Sequence, residues 1–310
     1  MEEVMRKAVL VLLLLWPSLA AAGIVNVEFN FTPFIGDLKA NQVETVPGVS
    51  TVYLNNVPIA SKEIEKENVQ VLFQNREIAA EMWVPASAMG PGLRKGKNKI
   101  RIEFDPVDAK APYRAQFRWA LVSDQATKTG SLPGRVTETN ESGNGSEEKK
   151  ATGRVVFERE FTADFAPDQP WHHYPPVTTL SAEDKKSLAL LVKQREEALK
   201  PDFTVAYQIL GRVPNLEVTE IKKIRLLEKC NELGIRIAAL PSDQLDFVIT
   251  GNPEVVVRGK GAELFHAVDQ TALSRLGESD QMAVMMVFSV LFPQRIVAVR
   301  TPSGKWEAVY

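Results

Sequence analysis

The sequence predicts a multidomain chain, an N-terminal antiparallel β-sandwich followed by an α+β domain with helices packed on an antiparallel sheet. Three observations carry that reading. Residues 24–122 alternate apolar and polar side chains with the period of a strand, as at Val25, Val27, Phe29 and Phe31. From residue 181 the period becomes helical, with Leu188, Leu191, Val192 and Leu199 recurring. Between them runs Pro167-Asp168-Gln169-Pro170-Trp171-His172-His173-Tyr174-Pro175-Pro176, whose prolines favour stiff, extended backbone. The expected domains are residues 23–167 and 181–310, joined by an interdomain segment at 168–180.

The first 22 residues read as a secretory signal peptide. Arg6 and Lys7 precede the apolar run AVLVLLLLW at 8–16, Pro17 breaks it, and Ala20-Ala21-Ala22 offers small residues for cleavage after Ala22. The apolar run is too short for a stable membrane span. The expected location is the periplasm or the exterior. Cys230 is the single cysteine, so an intramolecular disulfide is excluded and stability must come from core burial. Cys230 falls in the helical pattern Ile221, Ile224, Leu227 and reads as a small core residue. A secreted animal protein of this size with one cysteine is unusual, which favours a bacterial envelope; the sequons at Asn30, Asn140 and Asn144 are then accidental. The formal charge of −2 over 310 residues argues against a nucleic-acid partner. The later apolar run at 282–293 is too short to span a membrane and reads as a buried strand, so no transmembrane anchor is expected in the mature chain.

In chain order, Val52-Tyr53-Leu54 leads into a turn at Asn55-Asn56. Residues 69–73 and 77–84 are strand candidates. Turn signals at Pro91-Gly92 and Gly96-Lys97-Asn98 precede Ile100, Ile102 and Phe104. Tyr113, Ala115, Phe117, Trp119 and Leu121 form another alternating run. Residues 124–153 are rich in Ser, Thr, Gly, Asn and Glu with almost no large apolar side chain, which predicts a disordered loop. Strand alternation resumes at Val155, Phe157 and Phe161. The simplest topology pairs 113–122 with 154–162 as a hairpin.

In the C-terminal part, Ser181 with Glu183 and Asp184 is a helix start, and the helix runs until Pro201. Residues 202–210 fit either a strand or a helical face. Residues 219–233 form a second helix closed by Gly234. Strands are expected at 235–240, 247–250, 254–258, 262–268, 281–291 and 295–300, with a turn at Thr301-Pro302-Ser303-Gly304 into 306–310. Helices followed by a strand meander are the pattern of an α+β domain.

Two resemblances are fold-level. Trp83-Val84-Pro85-Ala86 with the stretch from Gly92-Leu93 to Ile100-Arg101-Ile102 resembles the L-x-x-G-x-N-x-I hairpin of galactose-binding-like jelly rolls and related secreted β-sandwich modules. The helix-then-meander order ending in Ile296-Val297-Ala298-Val299-Arg300 and Gly304 to Val309 resembles a cystatin- or NTF2-like tail. Both resemblances imply binding or scaffolding.

Candidate chemistry centres on Asp168, His172, His173 and Tyr174. Two of the three histidines are adjacent there, which suggests metal binding, acid–base catalysis or interdomain packing. Adjacent side chains on extended backbone point to opposite sides, which disfavours one shared ion. Trp83 and Trp171 are candidate ligand-binding aromatics, and Trp83, Tyr113 and Trp119 together suggest a sugar-stacking platform, against core packing. Glu103, Asp105 and Asp108 suggest a calcium loop, but Pro106 and Val107 interrupt the alternation of oxygen ligands. Gly259-Lys260-Gly261 lacks the rest of a phosphate loop, and no metal or cofactor motif is present. The expected function is an exported, non-catalytic binding or scaffold protein of the bacterial envelope, with a protein or polysaccharide partner. The alternative is an envelope-directed hydrolase using the His172/His173 region at the domain interface.

Overall fold

The structure, a computed structural model, describes residues 24–38, 43–70, 77–125, 137–138, 144–213 and 216–309. The expected leader at 1–22 lies outside the described residues. Antiparallel sheets fill the N-terminal part, and helices join strands in the C-terminal part. The chain divides into two compact units. The first holds the described residues up to Leu54 with Pro58–Asp168, and the second holds Asn55–Val57 with Gln169–Tyr310.

In the first unit, strands β1 (Ile24–Gly36), β2 (Val43–Thr45), β3 (Gly48–Leu54), β4 (Val57–Ile64), β5 (Val69–Gln70), β6 (Glu77–Ile78) and β7 (Met82–Pro85) lead to the short helix α1 (Ala86–Met89). There follow β8 (Gly96–Pro106), β9 (Pro112–Gln125), β10 (Thr137–Glu138), β11 (Gly145–Thr152) and β12 (Val155–Ala163). One sheet runs β10-β9-β1-β2, with β11 also on β9 and β7 also on β1; another runs β12-β8-β3-β4. The alternation puts Phe29, Phe31 and Phe117 of the first sheet on one face and Phe104, Phe157 and Phe161 of the second on one face. These rings meet: Phe29 and Phe161 at 5.1 Å, Phe31 and Phe104 at 5.4 Å, Phe117 and Phe157 at 5.7 Å. Burial of such rings dominates the energetics of this unit.

Local chemistry explains the turns. Asn55 and Asn56 both take positive φ, 51° and 66°, as a two-residue hairpin between β3 and β4 demands. Asn98 is buried and its side chain closes the turn before β8, accepting from Arg94 N–H at 2.8 Å and donating to the carbonyls of Arg94 at 2.7 Å and Gly96 at 2.9 Å. Leu93 and Ile100, flanking it, are buried. The residues behind the hairpin resemblance therefore build the turn and the core.

Two expectations are corrected here. β9 pairs with β1 and β11, whereas β12 pairs with β8 in the other sheet, so the predicted hairpin of 113–122 with 154–162 does not form. Within the expected disordered loop at 124–153, residues 124–125, 137–138 and 145–152 are strand; 126–136 and 139–143 lie outside the described residues. Polar β11 holds its place through a continuous ladder, from Gly145 opposite Trp119 to Thr152 opposite Pro112. Backbone hydrogen bonds and the Arg114–Glu148 ion pair supply what apolar side chains do not.

The second unit contains a 3-10 turn at Pro170–His173, then α2 (Ala182–Arg195), a 3-10 turn at Glu196–Leu199, α3 (Thr204–Leu210), α4 (Val218–Lys223) and α5 (Leu226–Glu232). Next come β13 (Ile237–Ala239), β14 (Leu245–Ile249), β15 (Glu254–Gly259), β16 (Phe265–Ala267), α6 (Gln270–Leu273), α7 (Glu278–Leu291), β17 (Arg295–Arg300) and β18 (Trp306–Ala308). A four-stranded sheet runs β14-β15-β17-β18, and β13 pairs with β16. One core gathers Leu188, Val192, Leu227, Cys230, Val255, Val257, Val284, Leu291 and Ile296, so helices and sheet share it. Ser181 caps α2 through a reciprocal box with Asp184.

Three further expectations change. The single helix at 219–233 is two, because Arg225 takes φ 54° between them. Residues 202–210 resolve as helix, Thr204–Leu210. The run at 281–291, expected as a strand, is helix α7, entered from Gly277 with Glu278 and Asp280 in its first turn.

Candidate functional site

Asp168 is exposed at the end of the first unit, and Trp171 to Tyr174 belong to the second. The 3-10 turn at 170–173 replaces the extended backbone expected there. His172 is half-buried, and its Nδ1 accepts from the backbone N–H of Gln169 at 3.4 Å, closing a capping box. Its ring stands edge-on to Trp171 at 5.5 Å. This pins one histidine as part of the turn. His173 is exposed. Trp171 Nε1 is buried without a hydrogen-bond partner among the described residues. Among the described residues no group of three His, Cys, Asp or Glu side chains could hold a metal ion.

The aromatic platform is not assembled. Register places Trp83 opposite Asn30 and Trp119 opposite Phe29, so the two indoles lie on opposite faces of one sheet. Trp83 is 58 % exposed and donates from Nε1 to Glu28 at 3.0 Å. Trp119 lies under the Arg159 guanidinium at 3.6 Å. Tyr113 is buried and its hydroxyl donates to Gly153 C=O at 2.6 Å. Burial, then the Asp105 charge, push its phenol up to about 12. Glu103 of the suggested calcium loop is buried and ion-paired to Arg101 and Arg154.

Two cavities stand out. A polar one of about 420 Å³ in the first unit is lined by Glu44, Thr45, Lys66, Glu67, Asn68 and Glu77. Asn68 fills its hydrogen-bonding capacity there: it accepts from Thr45 N–H at 3.1 Å and donates to Val43 C=O at 2.7 Å and Glu77 at 3.0 Å. That network clasps a loop.

The second, in the second unit, is a groove of about 810 Å³ between α7 and the strands. Phe265, Ala267, Phe288 and Phe292 line it, with His266 at its wall. The outer face of α7 is unusual. Val284, Val287 and Leu291 face the core, while Met282, Met285 and Met286 remain 66 %, 65 % and 67 % exposed. Spacing of three and four residues puts those methionines on one stripe, and Met285 also lines the groove. Val268 nearby in sequence to the groove wall is 67 % exposed. Flexible, polarisable thioethers on a surface suit adaptable apolar contact. Sequence reasoning missed this site because it took the run for a buried strand. Its methionines and the acidic first turn were the available helix signals.

No protein family, no curated protein and no solved structure matches this chain.

Proposed function

We propose that this chain is an exported, non-catalytic binding or scaffold protein of the bacterial cell envelope, and that it holds a protein partner on the methionine stripe of α7. The leader pattern at 1–22 supports export, and the exposed Met282, Met285 and Met286 beside an apolar groove carry the binding reading. A protein partner is favoured over a polysaccharide because the exposed stripe is thioether, and Trp83 lies on the opposite face of its sheet from Tyr113 and Trp119. In this reading the facing N-terminal sheets are a β-sandwich, akin to galactose-binding-like modules, and the C-terminal unit is an α+β domain akin to cystatin- or NTF2-like folds. The hydrolase alternative has less support, since His172 Nδ1 is engaged in its own turn.

The test is site-specific photo-crosslinking. A benzophenone side chain at position 286 is expected to trap one envelope protein in intact cells. That protein, purified, should bind the wild-type chain at least about tenfold tighter than a Met282→Gln/Met285→Gln/Met286→Gln variant. Equal binding by the two, or no specific adduct, refutes the reading.

A further inference from the structure

We propose that Met282, Met285 and Met286 of α7 form a surface site for one soft monovalent metal ion, copper(I), held by their three thioether sulfurs. The methionines of this chain are segregated. Of the seven, Met1 and Met5 lie in the expected leader, and Met82 and Met89 are buried, at 4 % and 1 % exposure. The other three fall within one stretch of α7, Met282 to Met286, and are 66 %, 65 % and 67 % exposed. The buried face of the same helix is built from branched aliphatics, Val284, Val287 and Leu291. Sulfur is therefore confined to the face that core packing does not use.

Helix geometry brings the three donors together. Met285 and Met286 follow Met282 by three and four residues, so the Cβ of each stands about 5–6 Å from that of Met282. Long helical side chains lean toward the N-terminal turn, which carries both over Met282. Three rotatable bonds in each side chain let the sulfurs close on one point. The donor set selects the ion. Magnesium and calcium take oxygen ligands, and zinc takes thiolate, imidazole or carboxylate, whereas neutral thioethers suit copper(I). The charge on the helix suits a monocation. α7 carries no Lys, Arg or His, Glu278 stands one turn before Met282 on the same face, and Lys229 is paired with Asp280 at 2.8 Å. The site shares its face with the docking surface proposed above but not its requirement: the ion needs sulfur, whereas docking needs apolar area.

In the experiment, copper(I), kept reduced by ascorbate under nitrogen, is added to the whole mature chain and the methionine methyl signals are followed by NMR. The signals of Met282, Met285 and Met286 are expected to move together and to saturate at one ion per chain with a Kd below about 10 μM, while those of Met82 and Met89 stay in place. Met282→Leu/Met285→Leu/Met286→Leu keeps the apolar surface and removes the sulfur, and it is expected to bind copper(I) at least about tenfold more weakly by calorimetry. Zinc(II) is expected to move none of the methionine signals. Cys230→Ala is expected to bind copper(I) as the wild type does, which separates the site from the buried thiol. Absence of shifts at the three exposed methionines, equal binding by the leucine variant, an equal response to zinc(II), or loss of binding in Cys230→Ala overturns the site. Should the triple variant fail to fold, the contrast between exposed and buried methyl signals in the wild type still decides. The leucine variant keeps the area that a protein partner needs, so the ion can be lost while the crosslinked partner is retained, and the two readings fail separately.

Discussion

Trp306 donates from Nε1 to Asp184 Oδ1 at 2.9 Å, tying β18 to the first turn of α2. The same carboxylate accepts from the backbone N–H of Ser181 at 2.9 Å and from its hydroxyl at 2.8 Å, and pairs with Arg300. Burial pushes the Asp184 carboxyl up, but the bonds from Trp306, Ser181 and Arg300 outweigh it and hold the group well below the usual carboxylate range. A depressed carboxyl stabilises the fold above its unfolded value, about 3.9, and that stability is lost as pH falls through the folded value. Asp184→Ala should cost about 1–2 kcal/mol at pH 7 by urea unfolding, with the gap to wild type narrowing below about pH 4.

Gly48 shows why β3 lies so close to β8. A Cβ there would sit 2.4 Å from Asp105 O and 2.7 Å from the Phe104 ring, which is fully buried. Neither backbone nor a packed ring can yield cheaply. Gly48→Ala is expected to destabilise the first unit by about 2–3 kcal/mol, read as a lower urea midpoint with an unchanged slope.

Much of the fold was legible where local chemistry and burial agree. The Asn55-Asn56 turn, the Ser181 cap and the odd-numbered aromatic faces of β1 and β9 are all stated by residue type and spacing. Partner choice was not legible. β9 could have taken β12, and only long-range register decides that it takes β11. The polar strand β11 was hidden because its order comes from a neighbour's backbone, which composition does not report. α7 was misread because an unbroken apolar run has no period to distinguish strand from helix. The site inherits that error, since its methionine stripe exists only on a helix. Arg225 breaks 219–233 with neither glycine nor proline to announce it.

Arg195 caps α7 from within the core. Its Nη1 donates to Val290 C=O at 2.8 Å and Leu291 C=O at 3.0 Å, and the residue is only 8 % exposed. Burial first, then the Arg212 charge, bring its guanidinium down to about 10, so it stays charged at neutral pH. Truncation leaves two carbonyls without this donor and a void where the stem lay. Arg195→Ala should cost about 2–3 kcal/mol, whereas Arg195→Met, which keeps volume and removes a buried charge, should cost about 1 kcal/mol. Paired denaturation curves check the order.

The methionine stripe should be dispensable for folding. Each side chain is about two-thirds exposed, so Met282→Gln, Met285→Gln and Met286→Gln together should change stability by less than about 1 kcal/mol. Thermal melts of the triple variant and wild type test this. A large loss would mean that the stripe serves the core of the second unit, and the binding reading would lose its free surface.

Cys230 offers a probe of the second unit. It is fully buried on α5 within the shared core. Burial, then the Asp280 charge, push its thiol up to about 11. The thiolate is the reactive form, so at pH 8 the folded chain should resist iodoacetamide while the unfolded chain takes up one equivalent. Labelling rate against urea then reports opening of this unit. The sign of the pH effect follows from the unfolded thiol, whose value is about 8.5. The unfolded chain releases its proton first, so the stabilisation is complete below about pH 8.5 and is lost as pH rises toward the folded value. Cys230→Ala should remove that alkaline slope and cost about 1–2 kcal/mol at pH 7 through the small cavity it leaves. Alkylation of the native chain as fast as of the unfolded one would show that the core around α5 opens freely.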